Sequence, residues 1–413
     1  MDNSVKIVDN FEKTAKNPDF TGIEAVDNFF APLWKTAKRS AFCKKGEKNE
    51  RNGKMKRILT VLLAVAMLFS FAACINESTT DEPSPAPSSP SASEGSAASK
   101  ESGKTDSVLD QPEDAVYGKT VLTVDGYEIS YGIYRYYYHL VAASMMGSNK
   151  NYFTEHPEEL EKLREETLEQ CKVVAAYFNM GKDAEAKLPT DEALDTEFKE
   201  YIAEYEPMYP LYYGVTMAEY LKGNHLSLSA YKVIFTLNNY LSEAIYNYLG
   251  KEGNELVDLS DAALEEALKD YRCVKHILVG HEDGLEDAEA LALATDLAKQ
   301  LREGGDIDAL MKEYSNDYQE NGQNAYTFTY GEMVKEFEEA AFNMEVGEVT
   351  DPVKSTYGYH VIVRLEIDKE AFKKAEFPDI AINKAFFDFA KAQNVTETAD
   401  FAQLCTHEKL MAD

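Results

Sequence analysis

The sequence predicts an α+β protein: a mostly helical domain and a small module of strands and helices, preceded by a signal peptide and a disordered linker. Three observations carry this. Apolar residues recur at helical spacing from Tyr131 to Arg272. Val274–Val279 and Tyr359–Val363 are apolar, strand-like runs, and each holds one histidine, His276 and His360. Residues 75–114 are rich in Ser, Pro, Ala, Thr and Glu and carry almost no large apolar side chain. At 413 residues the chain has room for two or three cores.

The 73 acidic and 42 basic residues leave a formal charge of −31. That excludes nucleic-acid binding through a phosphate-neutralising basic face and describes a solvated acidic surface. The five cysteines show no Cys-x-x-Cys spacing, so no zinc site or redox motif is expected. No other metal and no cofactor is expected either. Cys171 falls on the stripe Leu160, Leu163, Thr167, Cys171, Val174 and Phe178, where it reads as a small core residue.

Lys54-Met55-Lys56-Arg57 precedes an apolar run ending Phe71-Ala72-Ala73-Cys74. A basic stub, a short apolar core and small residues before a cut site describe a secretory signal over 55–74. The run falls short of the roughly 20 residues that span a membrane. Phe71 to Cys74 resembles a bacterial lipobox, which implies that Cys74 is lipidated and becomes the mature N-terminus. Residues 75–115 would then be a flexible tether, because such a composition buries too little surface to offset its ordering entropy. Signal peptides begin at the start of a chain, so translation is expected to start at Met55, leaving 1–54 as a mis-assigned start. Purine-rich codons can encode Glu50 to Lys54, as a ribosome-binding site would require. A genuine N-terminal extension is the alternative.

A domain is expected over 116–270. Thr120–Val124 and Tyr127–Ser130 flank Asp125-Gly126, a hairpin signal. Helices are expected at Tyr131–Met146, with Ser130 as N-cap, and at Glu158–Met180, Asp191–Glu204, Thr216–Lys222, Leu228–Leu249 and Asp261–Arg272. Tyrosines are dense at 134–138 and 205–220, and half or more should fill the core. A second module is expected over 271–368. It holds a one-faced helix at 288–303 stopped by Gly304-Gly305, a helix capped by Asp306, and a short helical stretch carrying Met333 and Phe337. Another helix is expected over Ile380–Gln393.

The order of these pieces, a histidine on each of two apolar strands and Met333 four residues before Phe337, resembles a parvulin-type peptidyl-prolyl isomerase over 271–368. A helical segment joined to such a module behind a lipidation signal resembles the PrsA-like extracytoplasmic foldases. The resemblance implies that residues 369–413 return to pack on the helical, chaperone-like part, making the module an insertion. It implies unfolded or partly folded secreted polypeptides as partners, and a lipid-anchored place on the extracytoplasmic face of the bacterial cell membrane.

Rotation about an X-Pro bond faces a barrier of roughly 18–20 kcal/mol from amide resonance. Lowering it needs a dry apolar slot for the proline ring and a polar setting that favours the twisted amide. By resemblance Phe328, Met333 and Phe337 make the slot, with Ala325 where the family has a leucine. His276 and His360 match the paired histidines of the site. Asp317 matches the position facing the substrate carbonyl, where the family carries Cys or Asp. Gln323 and Tyr326 stand where the family segment has glycines, and Tyr330 where a basic residue is common. These departures leave open a non-catalytic holdase with a degenerate module. A surface lipoprotein of unrelated adhesive or substrate-binding role is a third reading.

Overall fold

The computed structural model describes residues 107–412, apart from 281–284, 321 and 323. The expected signal peptide with Cys74, the segment 1–54 and most of the expected tether lie outside the described residues. Residues 107–115 depart from the tether expectation and belong to the folded body. Glu206 accepts from Ser107 Oγ (2.6 Å) and from the Val108 N–H (2.7 Å), and Val108 is buried with Phe198, Ile202 and Met217. One apolar anchor and one carboxylate suffice to hold a segment whose average composition is polar.

Among the described residues seven strands form two antiparallel sheets. They are β1 (Thr120–Val124), β2 (Tyr127–Ser130), β3 (Arg272–Gly280), β4 (Ala325–Phe328), β5 (Val353–Ser355), β6 (Gly358–Leu365) and β7 (Val395–Glu397). The sheet orders are β2-β1-β7 and β4-β3-β6-β5. The β1–β2 turn uses Asp125 (φ 43°) and Gly126 (φ 84°), the two positive φ angles that a tight hairpin demands.

Ser130 caps helix α1 (Tyr131–Met146), its Oγ accepting from the Ile133 N–H. Helix α2 (Leu160–Asp183) buries Leu163, Thr167, Cys171 and Val174, residues three and four apart on one face. Helix α3 (Asp191–Tyr205) follows, capped by Thr190. Helix α4 runs over 228–249 through a π-turn at Leu237–Leu241. Around that turn Thr236, Asn239 and Ser242 bond back to carbonyls four residues earlier, a competition that loosens helical hydrogen bonding. Helix α5 (Asp261–Leu268) ends four residues earlier than its periodicity suggests. Arg272 already opens β3, and its guanidinium donates to the carbonyls of Lys269 and Tyr271.

In the second sheet, β3 and β6 are the central strands, buried on both faces. Ile277, Val279 and Val361 pack against helices α6 (Asp287–Arg302) and α7 (Ile307–Tyr314). Val274, Phe328 and Ile362 pack on the other face with helix α8 (Lys335–Phe342). The β3–β6 pairing begins at Gly358, whose φ is +133° and whose Cβ, if present, would lie 2.3 Å from the Val279 oxygen.

Helix α9 (Phe377–Lys391) starts three residues earlier than expected, with Pro378 in its first turn. It packs on α2, where Phe386 meets Tyr177 at a ring separation of 4.5 Å. Strand β7 pairs with β1, placing Val395 opposite Val124. The last residues return to α1: the Leu410 carbonyl accepts from His139 Nε2 and the Ala412 carbonyl from Arg135. Phe386, Phe401 and Leu410 thus share one core with Tyr134, Leu163 and Met180.

Candidate active site

The strand register assembles the site. His276 pairs with Ile362, and His360 with Leu278, so the two histidines are diagonal neighbours on one face of the central strands. Both are buried, at 6% and 5% exposure. Their Nδ1 atoms lie 3.2 Å apart. Phe337 from α8 stands edge-on to both rings, with centroids at 5.0 and 5.2 Å.

Asp317 reaches His276 because the turn after α7 is sewn to the end of β3. Ser315 Oγ accepts from the Leu278 N–H, the Asn316 N–H donates to the Leu278 carbonyl, and Asn316 Oδ1 accepts from the Gly280 N–H. Asp317 Oδ2 then sits 3.1 Å from His276 Nε2 and 2.8 Å from the Tyr326 hydroxyl. The carboxylate keeps 38% of its side chain exposed, against 7% for His276, so it stands where an incoming chain can meet it.

These contacts form one directed chain. With Asp317 ionised and His276 neutral, the Tyr357 N–H donates to Ser355 Oγ (3.1 Å) and the Ser355 hydroxyl donates to His360 Nε2 (2.7 Å). His360 Nδ1–H donates to His276 Nδ1, and His276 Nε2–H donates to Asp317. Burial, reinforced by the neighbouring His276 and opposed by Asp317, pushes the His360 imidazole down to about 4, which keeps it neutral.

The apolar side of the site is formed by Phe328, fully buried, and Phe337, with Tyr326, Met333 and Val334 packed at its edge. Met333 departs from the expected helix: α8 begins at Lys335 and Val334 is its extended N-cap. Gly331, at φ +80°, turns the chain just before it. Glu338 reaches back from α8 to accept from the Gly331 N–H at 2.6 Å. Burial pushes the Glu338 carboxyl up, and the N–H groups of Gly331, Met333 and Glu332 oppose the rise.

Ala325 is not brought to this group. It is exposed and pairs with Lys275, while the alternation of β4 turns Tyr326 and Phe328 to the site face. Tyr326 and Ser355 are members that sequence reasoning missed. Tyr326 shows itself only as a bulky residue in a glycine position, and Ser355 only through the hairpin joining β5 to β6. Tyr330 lies aside, stacked at 3.7 Å on Phe342, whose ring also lies 4.4 Å from the Arg272 guanidinium.

The model of the PPIC-type PPIase (rotamase) domain family matches residues 276–366, a span that opens on His276 and includes every described member of the site. Over that span the chain is similar to parvulin-type rotamase domains, and more widely to PrsA foldases. Over 191 residues it is 32% identical to foldase protein PrsA 2 of Listeria innocua, covering 45% of this chain and 56% of that protein. Over 141 residues it is 38% identical to foldase protein PrsA of Geobacillus kaustophilus, covering 33% and 46%. The chain spans about half the length of these curated relatives. Among solved structures, PrsA from Bacillus subtilis aligns at 22% identity over 67% of this chain and 93% of that one, with a TM-score of 0.23. The 191 residues matched to the Listeria protein are more than the span 276–366 that the domain model matches.

Proposed function

We propose that this chain catalyses cis/trans isomerisation of X-Pro peptide bonds and assists the folding of secreted polypeptides. The observation that carries the reading is the junction of a polar relay (Asp317, His276, His360, Ser355) with an apolar wall (Phe328, Met333, Phe337). Roles follow from chemistry. Met333 and Phe337 grip the proline ring, and Phe328 supports them from beneath.

Asp317 faces the carbonyl preceding the proline. In the planar amide that oxygen carries partial negative charge, which a neighbouring carboxylate disfavours. The twisted amide has less charge there, so the barrier falls without any covalent step. The paired imidazoles hold Asp317 in place without adding charge, since each offers one donor and one acceptor.

The helical part, with Tyr205, Tyr212 and Tyr213 exposed, would hold unfolded segments near the site. A lipid on Cys74 would fix the protein to the extracytoplasmic membrane face, with residues 75–106 as the tether. Metabolic labelling with a fatty-acid analogue tests that anchor: label lost in Cys74→Ser supports it, and label retained contradicts it.

A second reading, a module that binds chains without turning them over, is favoured by the exposed position of Ala325, which leaves the slot one apolar wall short. A protease-coupled assay on an X-Pro peptide separates the two.

A further inference from the structure

We infer that Tyr326 is a positioning residue for isomerisation, acting through Asp317. The inference rests on the rotamase reading above and goes beyond it, because the family segment that this chain resembles has a glycine at this position.

Tyr326 pairs with Val274, so its side chain lies on the same face as His276. The ring is half-buried at the edge of the apolar cluster, with its centroid 5.4 Å from that of His276. Its hydroxyl donates to Asp317 Oδ2 at 2.8 Å, and His276 Nε2 reaches that same oxygen at 3.1 Å. Asp317 lies on a turn and is 38% exposed, so packing alone does not lock its rotamer. The Tyr326 donor comes from a different strand than the His276 donor, and the two together restrain the torsions of the carboxylate more than either does. A phenol suits the task because it supplies a strong donor and stays neutral near pH 7.

A fixed carboxylate needs no rearrangement when the amide arrives, and that is the source of electrostatic catalysis. A glycine at 326 would remove both the donor and one wall of the site. The tyrosine therefore does two things on one face: it narrows the site and it aims the charge.

The test uses the full chain and an X-Pro peptide, with kcat and KM measured separately and melting followed in parallel. Tyr326→Phe keeps the ring and removes only the hydroxyl. It should lower kcat roughly tenfold, the scale of one hydrogen bond to a charged group, with KM and Tm nearly unchanged. In an Asp317→Asn background the same substitution should cost nothing further, because its effect travels through the carboxylate. Imidazole 15N spectra read the tie without turnover, and the His276 Nε2 resonance should move in Tyr326→Phe. Tyr326→Gly, a second variant, should lose at least as much kcat.

Wild-type kcat in Tyr326→Phe, or an equal further loss in the Asp317→Asn background, overturns the inference and leaves the rotamase reading standing. An inactive wild-type chain overturns that reading, and with it any positioning role for Tyr326 in isomerisation.

Discussion

His360 and His276 meet Nδ1 to Nδ1 at 3.2 Å, an approach that needs one of the two nitrogens to be unprotonated. With His276 neutral and Asp317 ionised, His360 is the donor across this gap and Ser355 the donor behind it. Burial keeps the His360 ring neutral, and acid should charge it.

Burial holds His360 near 4, below its ordinary 6.5. As pH falls from 6.5 towards 4, the unfolded chain takes up a proton that the folded chain refuses. The stability present above 6.5 is therefore lost across that window, by about 2–3 kcal/mol. The His360 ring resonance should titrate near pH 4 in NMR, and His360→Gln should flatten the fall in Tm between pH 6.5 and 4. A ring titrating at its ordinary value would contradict the assignment.

Phe337 and Met333 should separate structure from binding. Phe337 is 3% exposed between both histidines, so Phe337→Ala should cost about 3–5 kcal/mol in thermal unfolding. Met333 is half-buried at the edge of the cluster, so Met333→Ala should leave Tm within a few degrees and raise KM for an X-Pro peptide several-fold. Equal effects of the two substitutions on Tm would refute the distinction.

Glu338 shapes the turn that presents Met333. Its carboxylate accepts from the Gly331 N–H, so Glu338→Ala should raise KM in the manner of Met333→Ala while α8 persists by circular dichroism. An unchanged KM would show that the turn stands without it.

Gly358 permits the central pairing of the second sheet. A methyl group there meets the Val279 carbonyl at 2.3 Å, and φ is +133°, so Gly358→Ala should destabilise the module by several kcal/mol. Hydrogen exchange of the β3 and β6 amides should read that loss directly, and retained protection would contradict it.

Much of the fold was legible because its elements declare themselves locally. Asp125-Gly126 fixes the β1–β2 turn through its backbone angles, and the spacing of Leu163, Thr167, Cys171 and Val174 marks the buried face of α2. Ends were less legible, because distant side chains set them. Arg272 stops α5 and enters β3, and Glu206 draws Ser107 and Val108 into the body.

In the site, His276 and His360 were readable as histidines on apolar strands, while their role and the choice of Asp317 came from the parvulin resemblance; the structure brings the three together. Ala325 could not be placed from spacing. Whether β4 turns Ala325 or Tyr326 inward depends on its register with β3, and one residue of slip exchanges the two faces. The same register brings Tyr326 to Asp317.

The most direct test is the kcat/KM of the full chain on an X-Pro peptide, set beside that of Asp317→Ala. Wild type should accelerate isomerisation well above its spontaneous rate of tens of seconds or slower, and Asp317→Ala should fall roughly tenfold or more with its circular dichroism unchanged. A wild-type chain that leaves the spontaneous rate untouched, or an Asp317→Ala variant as fast as wild type, would contradict the account.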